Sequence, residues 1–296
     1  MESKKEYSMF WGCWVPMRQP SVEVACRKVL GRFKIGIRDV EGFSCCPDPV
    51  VTERLQREMW LALAARNLSI AERSGASLAT VCNGCYETFF EAVEALERDT
   101  ALREKVERAL NRVGTNVPQR TDLRHIVEIL HQDVGVGEIA RLSSKRLRRL
   151  KVAVHPGCHL YRSRTREETQ DKPRMFGEIV AATGAELVDY GLTRFCCGYP
   201  HRVVEEEFSL KMMLARKLQR MWDAGADCVV VSCPACNIQF EFGQLELKRR
   251  YGIVFDSGVP VIHVVELVAL ALGIEPEEFG LQTHRGPTSS IVEKLK

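Results

Sequence analysis

The 296-residue sequence lacks the features that mark exported, membrane-spanning and nucleic-acid-binding proteins. Its first residues, MESKKEYSMFWGC, contain no apolar run of the roughly 7–15 residues found in signal peptides. The longest apolar stretch, 259–274, contains His263 and Glu266 and is shorter than a membrane span. The net charge is only +3, which argues against a nucleic-acid partner. We therefore expect a cytoplasmic protein with no membrane span.

The sequence also lacks the short motifs by which proteins bind nucleotides and common redox cofactors. There is no G-x-G-x-x-G after a predicted strand, no G-x-x-x-x-G-K-[ST] loop and no ferredoxin-type C-x-x-C-x-x-C run. Such a chain has no visible means of taking electrons from a flavin or a nicotinamide by itself. A redox function would therefore require partner subunits.

Cysteine, by contrast, is abundant, with 12 residues. In a reducing compartment, so many cysteines hold a metal or perform redox chemistry more often than they form disulfides. Ten of them form two series of the same order, a single Cys, a Cys-Cys pair and a Cys-x-x-Cys. The first series is Cys13, Cys45, Cys46, Cys82 and Cys85, and the second is Cys158, Cys196, Cys197, Cys233 and Cys236. In both series 35 residues separate the pair from the Cys-x-x-Cys, which indicates a duplicated domain.

Each half alternates short β-branched runs with longer amphipathic ones. Strands are predicted at 151–155 and 228–232, and helices at 52–75 and 202–224. This alternation favours an α/β fold in which each half has a small, mostly parallel sheet with flanking helices. Because ligands bind beyond the carboxyl ends of parallel strands, we expect the five cysteines of each half to converge at that edge.

Several sites could use five converging cysteines. Structural disulfides conflict with the absent export signal, and adjacent cysteines are poorly placed for separate bridges. Zinc needs four ligands, so zinc in one half remains an alternative. Five thiolates delivered from separate loops favour an iron–sulfur site, and they exceed the four that a simple cubane cluster requires.

The two series, with Cys196-Cys197-Gly198 in the second, resemble the cysteine-rich CCG domains of the HdrB family of heterodisulfide reductase subunits. The similarity extends to residues 63–68, 81–86 and 224–228 and covers nearly the whole chain. It implies two domains, 1–148 and 149–296, related by pseudo-two-fold symmetry. It also implies that the five cysteines of each domain bind one non-cubane [4Fe–4S] cluster, ten ligands in all.

The resemblance implies a catalytic subunit that cleaves or forms a disulfide, as in reduction of the coenzyme M–coenzyme B disulfide. Its expected partners are a ferredoxin-like iron–sulfur subunit and a flavoprotein subunit. Three alternatives stay open: a sulfur-oxidising complex acting on carrier-bound sulfane sulfur, an electron relay in a lactate, glycolate or glycerol-3-phosphate oxidising complex, and a zinc-bound scaffold. The sequence departs from the family at 199–202, where Tyr-Pro-His-Arg replaces a glycine-rich loop.

Polar residues near the second cysteine series are candidates for catalysis and substrate binding. A neutral imidazole can relay a proton to a departing thiolate, so the candidate proton donors are His201, His155 and His159. Guanidinium groups could pair with an anionic substrate, and the candidates are Arg162, Arg164 and Arg202. The two cysteines outside the series, Cys26 and Cys228, are predicted to be buried and inert.

Overall fold

The computed structural model describes residues 5–50, 52–119, 122–144, 147–162, 174–255 and 258–295. The chain divides into two compact units, the first made of Met1–Cys13 with Leu30–Ile126 and the second of Trp14–Val29 with Val127–Lys296. Each unit contains one parallel four-stranded sheet flanked by helices, which confirms the predicted α/β class. Within the described residues, no helix is both long enough and apolar enough to cross a membrane.

The sheet of the first unit has the strand order β2-β1-β3-β4, with every neighbouring pair parallel. The elements to residue 128 are β1 (Glu6–Phe10), α1 (Trp14–Arg18), α2 (Pro20–Arg32), β2 (Gly36–Arg38), α3 (Thr52–Leu55), α4 (Arg57–Ser74), β3 (Ser77–Thr80), α5 (Asn83–Arg98), α6 (Thr100–Asn111), β4 (Leu123–His125) and α7 (Ile126–Glu128). Helix α1 and most of α2 belong to the second unit.

The sheet of the second unit repeats this arrangement in the order β6-β5-β7-β8. A π-helix (Ile129–Gly135) is followed by α8 (Val136–Leu142), β5 (Lys151–His155), α9 (His159–Arg162), α10 (Met175–Ala182), β6 (Glu186–Leu187), a 3-10 helix (Tyr199–Val203), a second π-helix (Phe208–Ala215), α11 (Arg216–Asp223), β7 (Cys228–Val231), α12 (Pro234–Tyr251), β8 (Val261–His263), α13 (Val264–Ala271), α14 (Pro276–Phe279), a 3-10 helix (Leu281–Thr283) and α15 (Ser289–Lys294).

The sequence predicted the strands better than the helix of the second unit. The strand at 151–155 is confirmed, and the strand at 228–232 is present as β7, whose four residues are all buried. The single helix predicted for 202–224 is wrong in part, because that segment contains part of a 3-10 helix, a π-helix and α11. Apolar spacing does not distinguish these helix types, since the π-helix also buries Leu210 and Leu214.

Matched turns follow the first strand of each unit. Phe10 ends β1 and pairs with Thr80, while His155 ends β5 and pairs with Val231. Each strand is followed by one residue and then by a glycine of positive φ, Gly12 at 70° and Gly157 at 77°. Glycine adopts this conformation without the steric cost that other residues incur. The next residue in both turns is a cysteine of the series.

A buried ionic triad fixes the carboxyl-terminal segment of the second unit. The His284 side chain is only 3% exposed and lies between two carboxylates. Its Nε2 is 2.9 Å from Glu266 Oε1, and its Nδ1 is 3.6 Å from Glu241 Oε1. Burial alone would lower the pKa of His284, but Glu266 and Glu241 raise it to about 10. The imidazolium is therefore the stable form at neutral pH.

Candidate functional site

The five cysteines of the first series converge at the carboxyl edge of the first sheet. Cys13 follows β1, Cys45 and Cys46 lie in the loop after β2, Cys82 is the residue before α5, and Cys85 lies in its first turn. Their thiols interact in the order Cys13, Cys45, Cys46, Cys85, Cys82. The helix amino terminus also favours negative charge on the Cys-x-x-Cys sulfurs.

The second series forms the same arrangement in the second unit. Its thiols interact in the order Cys158, Cys196, Cys197, Cys236, Cys233, which is the order of the first group position by position. The Sγ atoms of Cys197 and Cys236 are 3.5 Å apart. We call these sets the first and second cysteine groups. Each is a continuous chain of five sulfurs supplied by three segments of the chain.

Neighbouring thiols stabilise one anionic sulfur in each group. Hydrogen bonds from Cys45 and Cys85 lower the pKa of Cys46 to about 5. In the second group, hydrogen bonds from Cys158 and Cys197 lower the pKa of Cys196 to about 2. Hydrogen bonds with the neighbouring cysteines and burial raise the pKa of Cys85, Cys158, Cys197 and Cys236, because each would otherwise place a second negative charge beside the first. A group of this kind exchanges protons for a metal cation, since metals bind the thiolate.

Both groups are open on one side and buried on the other. Cys45 is exposed, and Cys13, Cys158 and Cys196 are partly exposed. The second cysteine of each pair and all four Cys-x-x-Cys cysteines are buried. A molecule arriving from solvent therefore meets the side formed by the first cysteine and the first member of the pair.

The donor atoms and the space around them suit a metal group held by thiolates. All ten candidate ligands are sulfurs, which iron–sulfur clusters and zinc both accept. At Gly12 an added Cβ would lie 3.1 Å from Cys85 Sγ, so a larger residue would crowd the first group. In the second group, a ring nitrogen of His155 and the Sγ atoms of Cys197 and Cys236 lie within 4.8 Å of one another. The residues therefore fit a metal or an iron–sulfur cofactor.

A buried polar side chain supports the cysteine-pair loop in each unit, and its charge differs between them. In the first unit Asn67 donates to the Cys45 carbonyl at 3.0 Å and accepts from the Ser44 amide at 2.9 Å. In the second unit the Lys217 ammonium donates to the carbonyl of Phe195, the residue before Cys196. Asn67 precedes Gly75 by the same eight residues as Lys217 precedes Gly225, so the two positions correspond.

Lys217 is buried close to the second cysteine group. Burial lowers the pKa of Lys217 to about 8, against the opposing effect of four cysteines that include Cys197 and Cys236. The pKa of His155, which is also buried, lies well below its usual value because of burial and the charge of Lys217. His155 is therefore neutral at neutral pH. Its matched residue in the first unit is Phe10, whose ring packs against Phe89 as His155 packs against Phe240.

The other predicted proton donors and arginines occupy varied positions. His159 is partly buried and begins α9, directly after Cys158, while His201 is exposed with its ring centroid 5.9 Å from that of Phe208. Arg202 is paired with Glu246 at 2.7 Å and with Glu206 at 3.3 Å. Arg162 is the last residue of α9, and Arg164 lies outside the described residues.

The prediction that Cys26 and Cys228 are buried is confirmed. Cys26 lies in α2, and burial raises its pKa to about 12. Cys228 begins β7, and burial raises its pKa as well. Sequence reasoning missed Asn67 and Lys217. The signal for Lys217 was its spacing, because it lies three residues after Leu214 on the side of the helix that carries the apolar residues.

The comparisons with known proteins agree with this architecture. The sequence matches the family of cysteine-rich CCG domains twice, at residues 7–90 and 152–241. It is 38% identical over 292 residues to the HdrB subunit of a ferredoxin/F420H2-dependent CoB-CoM heterodisulfide reductase of Methanosarcina acetivorans, covering 97% of this chain and 96% of the relative. The chain is a two-domain CCG protein. It belongs to the HdrB family of heterodisulfide reductase subunits.

Other similar proteins come from organisms outside the genus Methanosarcina. An HdrB-like protein of Archaeoglobus profundus is 32% identical over 92% of each chain. The membrane anchor subunit of the 8-methylmenaquinol:fumarate reductase of Wolinella succinogenes is 29% identical, over 94% of this chain and 96% of the relative. A crystal structure of a hypothetical protein from Helicobacter pylori has the same fold, with a TM-score of 0.75 at 17% identity, covering 96% of this chain and 52% of the other.

Proposed function

We propose that this chain is the disulfide-cleaving subunit of a heterodisulfide reductase-type complex and that each cysteine group binds one non-cubane [4Fe–4S] cluster. The observation that carries the proposal is the repeated order of five interacting sulfurs in the two units. Relatives at 37–38% identity are subunits named for reduction of the CoB-CoM heterodisulfide. The duplication itself supports a substrate with two sulfur atoms.

The overall reaction consumes two electrons and two protons and converts one disulfide into two thiols. When bound, the clusters would supply the electrons one at a time and a thiophilic metal for each sulfur. The open side of each group, formed by Cys13 and Cys45 or by Cys158 and Cys196, admits the disulfide. The second cysteine of each pair and the four Cys-x-x-Cys cysteines are buried behind it. The chain thus shields these six sulfurs from bulk solvent while the bond breaks.

Electrons must come from other subunits under this proposal. The sequence contains no nucleotide-binding or ferredoxin motif, and the relatives are named as subunits of larger reductases. The partners we propose are a ferredoxin-like iron–sulfur subunit and, upstream of it, a flavoprotein. The exposed His201 and the partly buried His159 are candidate sources of the two protons.

Metal analysis tests the cofactor assignment. Anaerobically purified chain is expected to contain about eight irons and about eight acid-labile sulfides. Addition of CoM-S-S-CoB with reduced viologen is expected to release two thiols per disulfide. Zinc without iron, before and after anaerobic reconstitution, would leave a scaffold and refute the proposal. About four irons with one zinc would refute the paired-cluster mechanism.

A second candidate function is electron relay without disulfide chemistry. The relative from Wolinella succinogenes is a subunit of a fumarate reductase, and it matches 94% of this chain. The segment after Gly198 also departs from the glycine-rich sequence of the resemblance and forms a 3-10 helix at Tyr199–Val203. A relay predicts the same iron content and reversible reduction, but no thiol release from any disulfide. Single-turnover thiol release from the pre-reduced chain distinguishes the two functions.

A further inference from the structure

Three matched positions differ between the two cysteine groups, and each difference makes the second group more favourable to negative charge. The neutral Asn67 is replaced by Lys217, and the apolar Phe10 by His155. The third position follows the cysteine pair, where the first unit has Pro47 and the second has Gly198. Proline has no N–H to donate, whereas the amide of Gly198 is 3.4 Å from Cys196 Sγ.

The surroundings of the Lys217 side chain fix it as an ammonium. An ammonium has three donors and no acceptor, and Lys217 is surrounded by three acceptors. These are the Phe195 carbonyl, the Thr193 carbonyl at 3.5 Å and the face of Tyr190, whose centroid is 5.7 Å from Nζ. Lys217 is only 1% exposed, so solvent screens its charge poorly.

His155 adds a hydrogen-bond donor beside the second cysteine group. It is 1% exposed, and neither ring nitrogen has a hydrogen-bond partner among the described residues. A ring nitrogen lies within 4.8 Å of the sulfurs of Cys197 and Cys236. An unpartnered buried N–H is costly, so a sulfur acceptor in the bound cofactor would satisfy it. Phe10 offers no equivalent.

We propose that the second cysteine group holds its cofactor at a higher reduction potential than the first, with Lys217 as the positioning residue that fixes this difference. The inference rests on the proposed iron–sulfur function. Reduction adds negative charge to a cluster, and nearby cations and hydrogen bonds to its sulfurs stabilise the reduced form. Cys196 is less exposed than Cys45, which acts in the opposite direction, but poor hydration also strengthens the effect of the fixed ammonium. The first electron to enter the chain therefore reduces the cofactor of the second group.

The test separates the two sites before comparing them. Cys233→Ser/Cys236→Ser removes the second site and Cys82→Ser/Cys85→Ser removes the first, each in the full chain. Redox titration followed by electron paramagnetic resonance then gives one potential for each site. We expect the reduction equilibrium of the second site to lie at least tenfold further toward the reduced form, which is about 59 mV for one electron. Equal potentials at the two sites, or a higher potential at the first site, would overturn the inference.

Lys217→Met then removes the charge and keeps an unbranched side chain. We expect the equilibrium constant for reduction of the second site to fall at least tenfold and that of the first site to stay unchanged. In Lys217→Arg, the second site should retain most of its wild-type reduction potential. Asn67→Leu, the matched control, leaves the second potential unchanged. An unchanged reduction potential of the second site in Lys217→Met contradicts the inference. If this variant loses its iron, the difference in potential between the two sites with Lys217 in place decides the test. Wild-type chain without iron would instead refute the proposed function itself.

Discussion

The two cysteine groups have the same backbone arrangement but differ in the side chains that surround their sulfurs. Both place five sulfurs in the same interacting order at the carboxyl edge of a parallel sheet. Around the first group the matched side chains are Phe10 and Asn67, and around the second they are His155 and Lys217. The comparison shows that the fold fixes the number and order of the sulfurs, while a few buried side chains set the electrostatics of each group.

Removing one Cys-x-x-Cys at a time gives the largest effect. We expect Cys82→Ser/Cys85→Ser and Cys233→Ser/Cys236→Ser each to reduce iron from about eight to about four per chain. Each should also lower disulfide cleavage by at least about 1000-fold, because one group cannot take both sulfurs. Iron analysis and thiol release measure this. Cys26→Ser, which changes a buried cysteine outside both groups, is the control and retains all the iron. Full activity with four irons would show that only one group is needed.

The second prediction sets the pH range in which the sites can be compared. The pKa of His284 rises from about 6.5 in the unfolded chain to about 10 in the fold, so its stabilisation is complete below pH 6.5 and is lost as the pH rises toward 10. The pKa of Glu266 is lowered by His284 against the effect of burial, so its contribution is lost below its ordinary value of 4.5. The triad therefore stabilises the fold most strongly between about pH 4.5 and pH 6.5.

We expect the wild-type protein to lose on the order of 2–4 kcal/mol of stability between pH 6.5 and pH 10 through this triad. His284→Gln should remove most of that slope and be less stable at pH 6.5. Urea denaturation at several pH values measures both effects. His201→Gln, at an exposed histidine, is the control and keeps the wild-type slope. An unchanged slope in His284→Gln would show that the triad does not carry the pH dependence.

The third prediction concerns the support of the first cysteine pair. Asn67→Ala leaves the Cys45 carbonyl and the Ser44 amide without their partner, which costs about 1–3 kcal/mol. We expect a lower thermal midpoint and faster release of iron to a chelator from the first group than from the second. Asn111→Ala, at an exposed position ending α6, is the control. Equal release rates from the two groups would show that Asn67 does not support the first loop.

The sequence predicts the repeated architecture because cysteine spacing and strand periodicity are local patterns. Two series with equal 35-residue gaps are sufficient to indicate which sulfurs meet. The same patterns place Lys217 on the apolar side of its helix, but they do not reveal the carbonyls that its ammonium contacts in a loop some 20 residues away in sequence. Nor do they reveal the π-helix at Phe208–Ala215, since π- and α-helices bury similar apolar residues. Long-range polar contacts and helix type were therefore visible only in the structure.

The smallest predicted effect arises from a single methyl group beside the first cysteine group. Gly12 has a φ of 70°, and an added Cβ would lie 3.1 Å from Cys85 Sγ. Gly114 has a φ of 72° with nothing within 4 Å, so Gly114→Ala incurs only the backbone strain of about 1 kcal/mol. Gly12→Ala should cost about the same in stability and, in addition, displace Cys85. We expect faster iron release from the first group in Gly12→Ala alone, measured in the Cys233→Ser/Cys236→Ser background. Equal release rates in the two alanine variants would mean that the first group tolerates the methyl group and is less tightly packed than its sulfur contacts indicate.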